Sequence, residues 1–115
     1  MRKLYIVRTP REFNEIIKNG VCKKNEFYVI HEKENNLKYD RFGISVSKKL
    51  GNAVFRNKYK RKLRSIIDNY KKNYNNHKDY IIILRKEAIE KPHEELEKQF
   101  FALMNKTKER KTNKE

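Results

Sequence analysis

The chain has 115 residues, 37% of them hydrophobic, and its thirty lysines and arginines outnumber its fifteen acids to give a formal net charge of +15. This size suits one domain with a single modest core and excludes two independent cores. The excess positive charge repels itself, which favours a polyanionic partner such as nucleic acid. No apolar run is longer than that of residues 80–84, which is far shorter than the roughly 20 residues of a membrane span, so we expect no membrane partner.

The N-terminal segment and the cysteine count indicate the compartment. Residues 1–8 contain no apolar stretch long enough for a signal peptide. The single cysteine, Cys22, excludes an internal disulfide and a cysteine-based zinc site. We therefore expect a cytoplasmic protein in which Cys22 is a small buried residue.

The first predicted element is a helix that begins after Thr9. Thr9 can cap it, Pro10 suits its first position, and Glu12 completes a capping box. Gly20 ends this helix, and residues 21–23 form a short extended piece. The apolar face of the helix carries Phe13, Ile16 and Ile17.

Two strands are predicted next. Residues 27–31 are aromatic and β-branched, which is typical of a strand, and the polar residues 32–38 are predicted to form a loop. Residues 41–47 alternate with period two, which predicts a strand with one buried face. That face carries Phe42, Ile44 and Val46.

The apolar spacing then changes to that of a long helix over residues 53–74, with Asn52 as its cap. Its apolar stripe consists of Phe55, Tyr59, Leu63, Ile66, Ile67, Tyr70 and Tyr74. A fully buried strand over residues 80–84 follows. A last helix begins near Pro92 and buries Leu96, Phe100, Leu103 and Met104. The predicted order is α-β-β-β-α-β-α, an α+β fold, and residues 107–115 form a basic disordered tail because they include no apolar residue.

The most basic part of the chain lies between Lys48 and Arg64, where eight basic residues occur without an acid. On the predicted helix, Arg61 and Arg64 point away from the apolar stripe, and other cations flank it. Such a helix can lie along a phosphate backbone while its apolar face stays in the core. The alternative is an ordinary solvated face, but such a face usually carries carboxylates at i+4 spacing, and these are missing here.

The order of the residues gives a more specific indication than their charge. Residues 45–61 read SVSKKLGNAVFRNKYKR. This string closely resembles the signature of the bacterial ribonuclease P protein, with Ser-Lys-Lys, Gly-Asn-Ala-Val and Arg-Asn-Arg followed by Lys-Arg at the same spacing. Residues 41–45 and 79–83 are also similar to family segments. One position departs from the pattern: Lys58 replaces the third residue of Arg-Asn-Arg, which keeps the charge but loses the planar fork for bidentate phosphate contact.

The resemblance implies an α/β sandwich with a four-stranded sheet and a left-handed βαβ crossover, although most such crossovers are right-handed. It also implies that residues 1–106 form a single RNA-binding domain, the accessory subunit of an endoribonuclease that removes the 5′ leader from precursor tRNA. The RNA subunit would hold the catalytic centre and its magnesium, and the protein would bind no cofactor. The positions that match the family's RNA-subunit contact are Lys48, Lys49, Asn52, Arg56, Asn57, Lys58, Lys60, Arg61 and Arg64.

The resemblance further implies a cleft between the first helix and the sheet for the single-stranded leader. Unpaired bases stack on aromatic side chains beside positive charge without demanding a sequence, so such a cleft is physically reasonable. The alternative is that Phe13 and Ile17 simply pack the core. The matching positions are Phe13, Ile17, Phe27, Val29 and His31.

No residues of the chain suggest a catalytic or metal site of its own. The histidines are scattered, none belongs to a His-Glu-x-x-His motif, and no glycine-rich phosphate loop occurs. We expect inorganic anions to occupy the basic sites when RNA is absent.

Three other classes of protein were weighed against this interpretation. A ribosomal protein would bind RNA without preferring a 5′ leader. A helix-turn-helix regulator of DNA would need two short helices in tandem, whereas this basic helix is flanked by strands. A free-standing nuclease would need a cluster of metal ligands.

Overall fold

The computed structural model describes residues 9–105, which form three α-helices, four strands and two short 3₁₀ turns. In chain order the elements are α1 (Pro10–Asn19), β1 (Val21–Lys24), β2 (Tyr28–Glu34), β3 (Arg41–Ser45), a turn (Lys48–Leu50), α2 (Ala53–Lys71), β4 (Lys78–Leu84), a turn (Lys86–Ala88) and α3 (His93–Met104). The predicted order and the mixed α+β class are confirmed. The predicted tail lies outside the described residues, as do both ends of the predicted domain.

The four strands form one sheet in the order β1-β2-β4-β3. Strand β2 pairs antiparallel with both β1 and β4, whereas β3 and β4 are parallel. Because α2 connects β3 to β4, these elements form the expected βαβ unit with adjacent strands. The left-handed sense of this crossover stays a prediction.

The two faces of the sheet pack against different helices. Successive side chains of a strand point to opposite faces. Tyr80 and Ile82 of β4 therefore join the main core with α2 and α3, whereas Ile81 packs with Ile16 of α1 on the other face. The main core is large and fully enclosed, but the α1 side is only partly covered. The open part of that face is where a binding site can form.

The start of α1 forms as its sequence predicts. The Thr9 side chain accepts a hydrogen bond from the backbone N–H of Glu12 at 3.2 Å, and the Glu12 carboxylate accepts one from the backbone N–H of Thr9 at 3.3 Å. Gly20 ends the helix with an extended backbone, not a left-handed one. A Cβ atom there would lie 2.4 Å from the carbonyl oxygen of Glu32, so glycine is required by the close approach of two backbones.

Several predicted boundaries are wrong. Strand β3 ends at Ser45, before the predicted residue 47. Strand β2 continues to Glu34, well into the predicted loop, because buried Glu32 is paired with Lys23 at 3.3 Å and with Lys78 at 2.8 Å. Helix α2 ends at Lys71, before Tyr74. Tyr74 nevertheless lies against the predicted stripe, because its ring stacks on Tyr70 with the ring centroids 4.5 Å apart.

The strand β4 also differs from its prediction. It begins at Lys78, two residues earlier than expected, and Ile83 is only half-buried. Ile83 points toward the α1 face, where the helix does not reach over it. The expectation of a fully buried strand therefore holds for residues 80–84 except Ile83.

Candidate nucleic-acid interface

The segment that leads into α2 is shaped by two caps and one glycine. The Ser47 hydroxyl accepts a hydrogen bond from the N–H of Lys49 at 3.1 Å, and the Asn52 side chain caps α2 by accepting from the N–H of Phe55 at 3.0 Å. A Cβ atom on Gly51 would lie 2.4 Å from the Phe55 ring, so only glycine lets that ring fold back over the turn. The segment is therefore fixed locally by its own residues.

Helix α2 separates its apolar and cationic residues as predicted. Its buried side chains are Tyr59, Leu63, Ile66, Ile67 and Tyr70. Opposite them, Arg61 and Arg64 are exposed. We call the following set the cationic surface: Lys48, Lys49, Asn52, Arg56, Asn57, Lys58, Lys60, Arg61, Lys62 and Arg64. The structure brings all the predicted RNA-subunit residues onto this one helix and the turn before it.

The edges of the cationic surface are less exposed than its centre. Arg56, Lys60 and Lys62 are half-buried. The Lys62 ammonium lies 4.9 Å from the centre of the Tyr59 ring, a cation–π contact. The Nε atom of Arg56 is buried and has no hydrogen-bond partner within residues 9–105. An unpaired buried donor of this kind is costly.

Acidic residues limit the cationic surface toward the C-terminal end of α2. A groove between α2 and α3 is lined by Arg61, Arg64 and Asp68 of α2 and by Glu97 of α3. Asn69 donates a hydrogen bond to the Glu97 carboxylate and thereby joins the two helices. The uninterrupted positive region therefore extends from the turn before α2 to about Arg64.

A second candidate surface lies on the sheet where α1 leaves it uncovered. Val29 of β2 pairs with Ile83 of β4, and His31 pairs with Ile81 in the same way. Val29, His31 and Ile83 are all half-buried, and Ile17 of α1 is 42% exposed beside this face. We call the set of Phe13, Ile17, Val29, His31 and Ile83 the sheet cleft. Phe13 and Ile83 both pack against the small core of Ile16 and Ile81.

The Phe13 side chain is partly buried against the sheet and partly exposed. Its ring lies over Gly43, where an added Cβ would be 2.6 Å from the ring's Cζ atom. It also packs with Ile16 and Ile81, yet it remains half-buried. Phe13 therefore packs the small core, as the alternative expectation has it, and its contact with a leader stays a prediction.

The structure does not bring Phe27 to the sheet cleft, so this part of the prediction is wrong. Strand β2 begins one residue later, at Tyr28. The N–H groups of Phe27 and Tyr28 both donate to the side chain of Asn25 at 2.9 Å, which forms a turn before the strand. Phe27 consequently joins the main core and is only 3% exposed. The predicted strand over residues 27–31 therefore begins one residue too early.

Two features of the cleft region were not anticipated. Ile83 is a wall of the cleft, but its position in a short apolar run gave no sign of exposure. Cys22, expected to be buried, is exposed on β1, opposite His31. Both errors have the same cause. Whether a side chain on a strand is buried depends on which helix packs over that face of the sheet, and the sequence of the strand does not contain this information.

An ion-pair network fixes α1 against the sheet. Arg41 donates two hydrogen bonds to the Asp79 carboxylate, at 2.9 and 2.7 Å, and a third to Glu12 at 3.1 Å. These hydrogen bonds, above all those to Asp79, raise the pKa of Arg41 above its ordinary value. Glu12 also caps α1, so one carboxylate connects the first turn of the helix to β3 and β4. Arg41 therefore sets the position of one wall of the cleft.

Neither a metal centre nor a membrane segment is found in residues 9–105. No three His, Cys, Asp or Glu side chains in this part of the chain are grouped as metal ligands. None of its helices is both long enough and apolar enough to span a membrane. What these residues offer a partner is positive charge together with half-buried apolar and aromatic side chains.

Comparisons with known proteins agree with this arrangement. A family model described as ribonuclease P matches residues 1–108. The ribonuclease P protein component of Streptococcus pneumoniae is 37% identical over 108 residues, which cover 94% of this chain and 88% of the relative. The structure of the Staphylococcus aureus RNase P protein is 34% identical with a TM-score of 0.80, and covers 87% of this chain and 92% of that one.

A more distant solved structure shows the same fold. The RNase P protein of Thermotoga maritima is 29% identical with a TM-score of 0.83, over 90% of this chain and 97% of that one. The similarity thus extends over most of the fold. Because the family model and these relatives each span most of the sequence, the chain belongs to the bacterial ribonuclease P protein family.

Proposed function

We propose that the chain binds the catalytic RNA subunit of ribonuclease P through the cationic surface and the 5′ leader of precursor tRNA through the sheet cleft. The resulting ribonucleoprotein removes the leader by hydrolysing a phosphodiester bond. The catalytic centre and its magnesium belong to the RNA subunit. The protein positions the substrate and neutralises phosphate charge.

The cationic surface is the observation that carries this proposal. Tyr59, Leu63 and Ile67 anchor α2 in the core, so the exposed lysines and arginines sit on a rigid element. No acid occurs between Lys48 and Asp68, so none of the cations before Arg64 has a carboxylate four residues further along α2. Phosphate groups that replace bound counterions here gain affinity through counterion release.

The sheet cleft supports the second half of the proposal. Leader sequences differ, so their binding site needs contacts that do not read a particular base. Half-buried aromatic and aliphatic side chains meet this need, because every base has a flat face that can stack on them. Phe13, Ile17, Val29 and His31 supply such a surface, with Ile83 as an additional wall.

A reconstitution experiment tests the proposal. The purified chain is added to a bacterial ribonuclease P RNA at low magnesium concentration, and removal of the 5′ leader from precursor tRNA is followed over time. We expect the protein to accelerate leader removal and to be inactive without the RNA. Cleavage by the RNA-free protein after repeated purification would contradict the accessory role. Binding to the RNA without any acceleration or preference for leader-bearing substrate would favour a ribosomal type of function.

A further inference from the structure

A pocket outside both surfaces lies beyond the C-terminal end of α2. There the loop between β2 and β3 meets the segment that follows α2. The pocket has a volume of about 260 Å³ and is lined by Lys38, Tyr39, Asp40, Lys71, Tyr74 and Asn75. We call it the Tyr74 pocket. It is smaller than the roughly 300 Å³ and more of a site for a drug-sized ligand, so it suits a single small group.

The ring of Tyr74 forms a supported platform in this pocket. It lies nearly parallel to Tyr70, with an interplanar angle of 14° and a centroid distance of 4.5 Å. Tyr70 itself is buried and makes edge contacts with Phe100 and Phe101. Tyr74 is 38% exposed although one of its faces is covered, so its exposed area lies on the opposite face and the ring edges. A flat group placed there would continue the stack.

The walls of the pocket are held together by hydrogen bonds between the two loops. Asn75 donates from its side chain to the carbonyl of Lys38 at 2.8 Å, and Asn35 donates from its backbone to the carbonyl of His77 at 3.0 Å. The His77 ring nitrogen Nδ1 lies 2.9 Å from the carbonyl oxygen of Leu37. His77 has a φ of 57°, which is uncommon outside glycine and persists only where surrounding contacts impose it. The shape of the pocket is therefore fixed by these hydrogen bonds.

The lining of the pocket contains two lysines and one carboxylate. Lys38 is exposed and Lys71 is half-buried at its rim. The one carboxylate of the lining, Asp40, is buried and accepts backbone N–H bonds from Asn76 at 3.1 Å and from Lys78 at 2.8 Å. Its charge is therefore directed toward the backbone of the neighbouring segment. Lys38 and Lys71 are the two cationic side chains of the lining.

We propose that the Tyr74 pocket binds one unpaired RNA nucleotide, with its base on the outer face of Tyr74 and its phosphate beside Lys38 and Lys71. A stacked platform next to cations is the chemistry that recognises a nucleotide without regard to sequence. The proposal rests on the proposed RNA-binding function but concerns separate residues, since no lining residue belongs to the cationic surface or the sheet cleft. The nucleotide comes either from the RNA subunit or from precursor tRNA.

The first experiment detects base stacking directly. The chain has no tryptophan, so Tyr74→Trp introduces a single fluorescent reporter at the platform. We expect an oligomer of five adenylates to quench its fluorescence more strongly than an abasic ribose-phosphate oligomer of equal length. Adding Lys38→Ala should weaken the binding and reduce its salt slope by about one unit. Equal quenching by both oligomers would overturn the proposal, because only charge would then be recognised.

The second experiment identifies the source of the nucleotide. Binding by Tyr74→Ala, Tyr74→Phe and the charge control Lys98→Ala is measured for ribonuclease P RNA alone, then for precursor and mature tRNA by the assembled complex. We expect Tyr74→Ala to lose at least about fivefold in one of these steps, the lower end of one base–aromatic stack, while Tyr74→Phe keeps its affinity. A loss with RNA alone assigns the nucleotide to the RNA subunit. A loss confined to the tRNA steps assigns it to the substrate.

Two outcomes separate this proposal from the proposed function. If all Tyr74 variants bind every RNA as the unaltered chain does, while Arg61→Ala with Arg64→Ala loses affinity, only the Tyr74 pocket is refuted. If neither set of changes alters RNA binding, the RNA-binding function itself fails. Should Tyr74→Ala unfold, the fluorescence comparison in Tyr74→Trp still decides between stacking and simple charge attraction.

Discussion

His31 lies in the sheet cleft as an uncharged ring. Partial burial lowers the pKa of His31 below its ordinary value, so the neutral form prevails at pH 7. Its Nδ1 atom is buried without a hydrogen-bond partner among residues 9–105. The side chain therefore presents a flat ring and not a cation. Burial of this unpaired polar atom destabilises the folded state.

Replacing His31 by phenylalanine should keep the stacking surface and remove a pH dependence. The unfolded chain takes up a proton at His31 before the folded chain does, so folding stability decreases as pH falls below about 6.5 and is unaffected by this group above it. We expect His31→Phe to abolish this loss in thermal unfolding between about pH 8 and 5, and to keep the preference for precursor over mature tRNA.

His31→Ala is the control for the ring. It should remove the same pH dependence but weaken precursor binding. If His31→Phe weakens precursor binding as much as His31→Ala does, the ring is not a stacking surface, and a hydrogen bond from the imidazole would be the better explanation.

Ile17 allows the cleanest single test of the sheet cleft. It is 42% exposed, whereas Phe13 also packs against Ile16 and Ile81, so truncating Phe13 would disturb the fold as well as the cleft. We expect Ile17→Ala to lower affinity for precursor tRNA by a few-fold, which corresponds to about 1 kcal/mol of lost apolar contact. Affinity for mature tRNA and the melting temperature should change little. A similar loss for both tRNAs would show that Ile17 acts outside the leader site.

At the scale of whole elements, α2 combines an anchored face with a cationic face. Arg61 and Arg64 are exposed and contribute nothing to the buried stripe. We expect Arg61→Ala with Arg64→Ala to weaken RNA-subunit binding and to reduce its salt slope by about two units, one for each lost phosphate contact. The measurement is the dissociation constant at several salt concentrations.

A matched control makes this test specific for α2. Lys86→Ala with Lys98→Ala removes the same charge from exposed positions on the turn before α3 and on α3 itself. This pair should leave the slope nearly unchanged. Equal effects of the two pairs would mean that RNA responds to net charge alone and that the α2 face is merely solvated.

The elements that could be predicted from sequence are those whose signals are local. The caps at Thr9 and Asn52 lie within three residues of the N–H groups that they bind, so the starts of α1 and α2 were predicted correctly. The spacing of buried side chains in α2 and α3 was likewise visible. The cationic surface belongs to this group, because it needs only one helix and the turn before it.

The elements that were missed depend on distant partners. Glu32 extends β2 because Lys23 and Lys78 reach it, and Lys78 lies far along the chain. The position of α1 depends on Arg41 and Asp79, which are likewise remote from Glu12. Periodicity within one segment carries no information about such pairs. The cleft walls, including the exposure of Ile83 and the burial of Phe27, therefore required the assembled sheet.

At the scale of the molecule, net charge opposes folding. The chain carries a formal +15, and its densest cations lie together on α2 and the turn before it. Stability of a small domain is only about 5–15 kcal/mol, so this repulsion can take a large part of it at low ionic strength. Anions that bind the assembled cationic surface and not the dispersed chain stabilise the fold by RT ln(1 + [L]/Kd).

We therefore expect the full chain to be partly unfolded in dilute, non-coordinating buffer and to gain helix signal when millimolar sulfate or pyrophosphate is added. Circular dichroism at 222 nm measures the gain, and sodium chloride at equal ionic strength is the control. Specific anion sites require sulfate to act at much lower ionic strength than chloride, since screening depends on ionic strength alone. Arg61→Ala with Arg64→Ala should shift the sulfate midpoint to higher concentration. If chloride is equally effective, the cationic surface is only screened, and preformed phosphate sites on α2 are ruled out.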